Sequence, residues 1–127
     1  MIAEVQNCLS GRLRLEALVL FGSRARGDAL EDSDWDIAVV STDFAALNPL
    51  QRGVRVLECM RPGVELVCLT PDELLHPDLS YLRCAVLEEG KPLVDRGAFA
   101  AAQSAYQARK AEGTIRFRGA LVEFGRP

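Results

Sequence analysis

The sequence predicts an α/β or α+β fold in a single domain. Three observations carry this reading. At 127 residues the chain lies within the usual size of one domain, roughly 100–200 residues. Apolar residues make up 49% and charged residues 26%, the proportions of a folded globule rather than of a disordered or collagen-like chain. Short apolar runs alternate with stretches whose apolar residues recur every three or four positions, as strands alternating with helices do.

Taken in order, Ile2, Val5, Leu9 and Leu13 form the stripe of an amphipathic helix over 2–14, weakened near its end by Gly11. Leu18-Val19-Leu20-Phe21, closed by Gly22, reads as a buried strand. The stretch GSRARGDALEDSD reads as a loop with one helical turn, and Trp35, Ile37, Val39 and Val40 make a second strand. Asn48-Pro49 starts a helix, with Asn as cap and Pro at the first position. Leu50, Val54 and Leu57 keep one face of it apolar until Arg61-Pro62-Gly63 ends it. Val64 to Leu69 is a third strand. Thr70-Pro71-Asp72-Glu73 has the form of a capping box opening a short helix that Pro77 interrupts. A further helix places Leu79, Leu82 and Leu87 on one side and stops at Gly90, before the extended piece Pro92-Leu93-Val94. Residues 97–112 are alanine-rich and helical, aligning Phe99, Ala102 and Tyr106. The last stretch, TIRFRGALVEFGRP, is left open between states by its alternating Ile115 and Phe117 and by Gly119.

Charge and cysteine usage exclude several classes of function. The net charge of −3, from 15 Lys and Arg against 18 Asp and Glu, disfavours a wide surface for a long polyanion. No apolar stretch approaches the roughly 20 residues that span a bilayer, and MIAEVQNCLSGRLRL is not a secretory signal. The expected location is cytoplasmic. Cys8, Cys59, Cys68 and Cys84 form no C-x-x-C pair and meet only one histidine, His76, so they read as buried small hydrophobes rather than zinc or redox ligands. Trp35, Phe21 and Tyr81 read as core. In the tail, Arg96, Arg109, Lys110, Arg116, Arg118 and Arg126 face only Glu112 and Glu123, a basic surplus suited to an acidic partner or to packing on the chain's own acidic centre.

Chemistry concentrates around residue 30, where Asp28, Glu31, Asp32, Asp34 and Asp36 crowd together. Side chains alternate across a strand, so Asp34 and Asp36 project from one face, about 7 Å apart by the rise per residue. Two such carboxylates suit Mg²⁺, a hard cation that takes oxygen ligands and is completed by substrate phosphates. Gly22 and Ser23, at the end of the first strand, supply a phosphate half: a backbone open to close approach, and a hydroxyl. Arg24 and Arg26 are further nucleotide-binding candidates, or else partners of Asp28, Glu31 or Asp32. Two metal ions need a third carboxylate. Glu65, the lone charge within an apolar strand, is the best candidate, with an edge-strand Glu facing water as the plainer reading. Asp43, Asp72 and Glu73 are weaker ones.

Gly-Ser followed ten residues later by Asp-x-Asp arises by chance in about one chain in a thousand of this length. At these residues the sequence resembles the minimal nucleotidyltransferases of the DNA polymerase β-like superfamily, through Gly22-Ser23, Asp34-Trp35-Asp36 and the closing pattern LEEGKPLVD. The resemblance covers residues 1–95 as the nucleotidyltransferase domain and leaves 96–127 as a helical, basic extension packing on the domain or a partner. It implies a small mixed sheet of three to four strands with helices packed mainly on one face. It also implies that Gly22 and Ser23 hold a nucleoside triphosphate, ATP, that Asp34 and Asp36 bind Mg²⁺, and that a third acidic residue maps to Glu65. Many members are antitoxins paired with a HEPN-type toxin, and some transfer AMP from ATP to a tyrosine of that toxin. The chain lacks the toxin's arginine-to-histidine motif, which makes it the antitoxin half. The alternatives are a binding module that neutralises a partner by covering it, and a nucleotidyltransferase acting on a small molecule.

Overall fold

The computed structural model describes residues 1–118 and 121–125. Helix α1 (Ile2–Arg12) leads into β1 (Ala17–Phe21), and the four-residue helix α2 (Ser23–Arg26) and an irregular loop precede β2 (Trp35–Val40). A 3-10 turn at Thr42–Phe44, α3 (Pro49–Arg55) and a second 3-10 turn at Leu57–Cys59 lead to β3 (Val64–Leu69). Then follow α4 (Pro71–Leu75), α5 (Tyr81–Glu89), β4 (Lys91–Asp95), α6 (Ala98–Glu112) and the antiparallel pair β5 (Ile115–Arg118) and β6 (Leu121–Phe124). The Thr70–Glu73 capping box forms, and the Asn48 cap is completed as a second one by Gln51: each pair exchanges side-chain and backbone hydrogen bonds.

The main sheet runs β3-β2-β1-β4, with β1 antiparallel to both of its neighbours and β2 parallel to β3. Alternation sends Ala17, Val19, Phe21, Ala38, Val40 and Leu69 to one face, where Leu74, Val86, Leu87, Phe99, Ala102 and Tyr106 of α4, α5 and α6 cover them. Leu18, Ile37 and Val39 face the other way, against Val5 and Leu9 of α1 and Phe44, Val56 and Cys59. Hydrophobic burial on both faces is the main source of stability.

The tail belongs to the same core. Asp95 accepts the N–H groups of Gly97, Phe99 and Ala100 and so starts α6. Phe99, Ala102, Tyr106 and Ile115 are buried, and Phe117, Val122 and Phe124 pack against them. The basic surplus finds carboxylates in its own chain: Arg109 pairs with Asp78, Lys110 with Glu88 at 2.6 Å, and Arg116 and Arg118 with Glu123. Gly119 and Arg126 lie outside the described residues.

The structure departs from the sequence reading in four places here. Helix α3 ends at Arg55, where the Val56 N–H reaches back to both the Arg52 and Val54 carbonyls and tightens the chain into a 3-10 turn. That turn buries Val56 and Cys59, while Leu50, Val54 and Leu57 are 77%, 64% and 60% exposed. In α5 the cap is Ser80, which accepts the Arg83 N–H, so Cys84 to Leu87 face inward while Leu79 and Leu82 face water. Tyr81 is likewise exposed rather than core, stacking its ring on Phe117 at 5.5 Å. The cysteines are not four equivalent hydrophobes. Cys8 and Cys59 form a disulfide with Cα atoms 5.5 Å apart, tying α1 to the second 3-10 turn. Cys68 and Cys84 stay free, and burial pushes each thiol up to about 11, which disfavours the reactive thiolate. No helix among the described residues is long and apolar enough to cross a membrane.

Candidate active site

The site residues converge where β1 ends and β2 begins. Gly22 follows β1 with φ 74° and ψ −157°, a conformation essentially reserved for glycine. Its missing side chain is required for a second reason: a Cβ there would collide with Asp36 Oδ2 and lie 3.2 Å from its Cγ. Phe21 pairs with Asp36 across the antiparallel ladder, so the register itself lays the Asp36 carboxylate against the Gly22 backbone. Ser23 then opens α2, and its carbonyl accepts the N–H groups of Gly27 and Asp28, closing the turn with Gly27 left-handed at φ 85°.

On its other side Asp36 pairs with Glu65 in the parallel ladder between β2 and β3. Both carboxylates leave the sheet on the face that buries Val40 and Leu69. Asp34 stands one residue ahead of β2, exposed. Burial raises the Asp36 carboxyl above its ordinary value, helped by the charge of Glu65, a hydrogen bond with Glu65 and the charge of Asp34, with Arg26 pulling the other way. Glu65 is exposed on an edge strand, so burial is not what marks it. Register brings it beside Asp36. Among the described residues no three His, Cys, Asp or Glu side chains close into a ready-made metal cage. The donor set of Asp34, Asp36 and Glu65 consists of carboxylate oxygens only, and their mutual repulsion is of the kind a hard divalent cation relieves.

The two arginines of α2 turn to different partners. Arg24 donates from Nε and Nη2 to the Ser33 carbonyl at 3.3 and 2.9 Å, and from Nη2 to the Glu31 carbonyl at 3.1 Å. Its guanidinium lies 4.6 Å from the centre of the Trp35 ring, a contact with the loop that replaces the purely core role expected of Trp35. Arg26 bonds Asp28 at 3.0 Å and grips both oxygens of Glu89 at 3.0 Å, fastening α2 to the end of α5. Glu89 was not singled out by sequence reasoning. Its signal is the Leu-Glu-Glu-Gly ending of α5, but nothing in the linear order joins it to residue 26.

The weaker acidic candidates are engaged elsewhere. Asp43 accepts the Arg14 N–H and pairs with Arg55, and Asp72 pairs with His76. Glu73 caps α4 and bridges Arg52 and Arg83. Burial alone would raise the Glu73 carboxyl, but the Thr70 N–H and the two guanidiniums outweigh it and leave it lowered. Surface grooves of about 420 and 460 Å³ are both lined by Arg52 and Glu73 and include none of Gly22, Asp34, Asp36 or Glu65.

Several solved structures share this fold. A protein assigned as a nucleotidyltransferase from Sulfolobus solfataricus is 27% identical with a TM-score of 0.55, over 75% of this chain and 74% of its own. A toxin–antitoxin structure with AMP-PNP is 26% identical with a TM-score of 0.57, over 87% of this chain and 90% of its own. The MntA–HepT toxin–antitoxin, at 23% identity and a TM-score of 0.50 over 88% and 92%, shares the fold. No curated protein matches the sequence. The model of the family described as polymerase beta, nucleotidyltransferase, matches residues 3–96, the span that holds the four-stranded sheet and every residue of the site. The chain therefore belongs to the polymerase β nucleotidyltransferase family and is a nucleotidyltransferase.

Proposed function

We propose that the protein is the cytoplasmic antitoxin of a HEPN-type toxin–antitoxin pair and that, with Mg²⁺, it transfers AMP from ATP to a tyrosine of its partner. The observation that carries the reading is the convergence of Asp36, Glu65 and the bare Gly22 backbone at one end of the sheet. The similar toxin–antitoxin structure with AMP-PNP supports both the class of partner and an adenine nucleotide as substrate.

Gly22 leaves the backbone open to the triphosphate, and the Ser23 hydroxyl adds a donor to it. Asp34, Asp36 and Glu65 would hold two Mg²⁺ ions, which when bound neutralise triphosphate charge and lower the pKa of the accepting hydroxyl. The tyrosine oxygen bonds to the α-phosphorus, the bond to the bridging oxygen of the β-phosphate breaks, and pyrophosphate leaves. Glu65, exposed beside Asp36, takes the proton of the hydroxyl. Rate comes from positioning and electrostatics. With labelled ATP, Mg²⁺ and a HEPN-type partner, Asp36→Asn abolishes labelling of the partner while its circular dichroism stays that of the wild type. Undiminished labelling would falsify the reading.

A further inference from the structure

Arg24 stands in the position of a phosphate ligand, one residue after Gly22-Ser23, yet three of its N–H donors go to the carbonyls of Glu31 and Ser33. Its guanidinium carbon lies over the ring of Trp35. Residues 27–34 contain no helix or strand, and within the stretch from 30 to 35 the other anchors are few. The Ser33 N–H bonds the Leu30 carbonyl, the Leu30 N–H bonds Ser33 Oγ, and the Trp35 N–H bonds the Gly63 carbonyl. Asp34 thus sits between one residue whose carbonyl Arg24 holds and another whose N–H is fixed to the turn before β3.

The geometry points to Arg24 as the positioning residue for Asp34: a brace from α2 that sets the acidic loop, not a ligand of the nucleotide. The inference rests on the proposed metal site only for what Asp34 does once it is placed. A guanidinium is needed, because one fork reaches two carbonyls while its cationic centre lies over an indole. Lysine keeps the charge and loses both features.

The test is Arg24→Lys, with Arg24→Gln as a second variant should the first fail to fold. Three quantities are compared with the wild type: exchange of the Leu30, Ser33 and Trp35 amides by NMR, affinity for Mn²⁺ without nucleotide by electron paramagnetic resonance, and KM for ATP at saturating metal. The expected result is at least tenfold faster exchange at those amides. Mn²⁺ affinity falls about tenfold, the scale of losing a support behind a metal ligand, and KM for ATP stays within twofold. Unchanged exchange overturns the proposal. So does unchanged Mn²⁺ affinity in a protein whose wild type binds the ion, and a tenfold rise in KM with the other two unmoved would make Arg24 a phosphate ligand. A wild type that binds no Mn²⁺ removes the metal reading instead, and the exchange measurement then decides the role of Arg24 alone.

Discussion

Gly22→Ala tests the contact on which the site depends. Alanine must adopt φ 74° and ψ −157°, a strain on the order of 1–3 kcal/mol. Its Cβ must also displace the Asp36 carboxylate, whose Cγ would lie 3.2 Å away, and such overpacking costs about 1–3 kcal/mol. Taking about 3 kcal/mol in all, and about 4 °C per kcal/mol for a domain of this size, Tm falls by about 12 °C. Asp36 moves by about 1 Å, and a shift of that size costs about a hundredfold in rate. The matched control is Gly27→Ala, also at positive φ, 85°, but with open space around the new methyl. It costs about 1 kcal/mol, or about 4 °C, and leaves transfer near the wild-type rate. Calorimetry gives the stability arm and labelled-ATP transfer the activity arm. If the two variants lose the same Tm and the same activity, the contact with Asp36 is not what demands glycine at residue 22.

Two further outcomes concern the scaffold. Burial first, and then Glu88, whose carboxylate accepts the phenol O–H at 2.7 Å, hold the Tyr106 phenol above its ordinary value of 10.0. The neutral phenol is thus favoured in the fold: stability is full below pH 10 and falls as pH rises beyond it, while Tyr106→Phe shows a shallower alkaline loss in urea melts. Replacing both Cys8 and Cys59 by serine opens a loop of 51 residues and costs about 4 kcal/mol in the chain-entropy account. Thiol titration of the unfolded protein without reductant finds two groups, Cys68 and Cys84, and four after reduction.

Features written in adjacent residues were legible. The Asn48 cap, the Thr70–Glu73 capping box, the stripe of Phe99, Ala102 and Tyr106, and the placing of Gly22-Ser23 and Asp34-x-Asp36 at a strand end and a strand start follow from spacing alone. Features that need two distant segments were not. The outward turn of Leu50, Val54 and Leu57 depends on where the chain tightens after Arg55, and helical spacing cannot tell an inward stripe from an outward one. The Cys8–Cys59 bond needs α1 laid beside the second 3-10 turn. Glu65 stands out in the sequence as a charge in an apolar run, but its place beside Asp36 has a different cause, the pairing of its strand with β2. The alternation of Ile115 and Phe117 leaves the state of the last stretch open, because strand formation there depends on pairing with β6, which lies beyond Gly119.

The parallel joining of β2 and β3 also sets which changes in chain length the molecule can absorb. The Trp35 N–H meets the Gly63 carbonyl at one end of the pairing and the Ser41 N–H meets the Leu69 carbonyl at the other. Between these strands Phe44, Val56 and Cys59 are held in the core, so the connection gains or loses residues without moving either anchor on its exposed stretch, around Ala45, Ala46 and Asn48. A single residue inserted within 64–69 has the opposite effect, since it would set Val64 or Leu66 where Glu65 stands and carry the carboxylate through the sheet to the face of α1. Natural variation in length should therefore gather in the exposed part of the connection and be absent from β3.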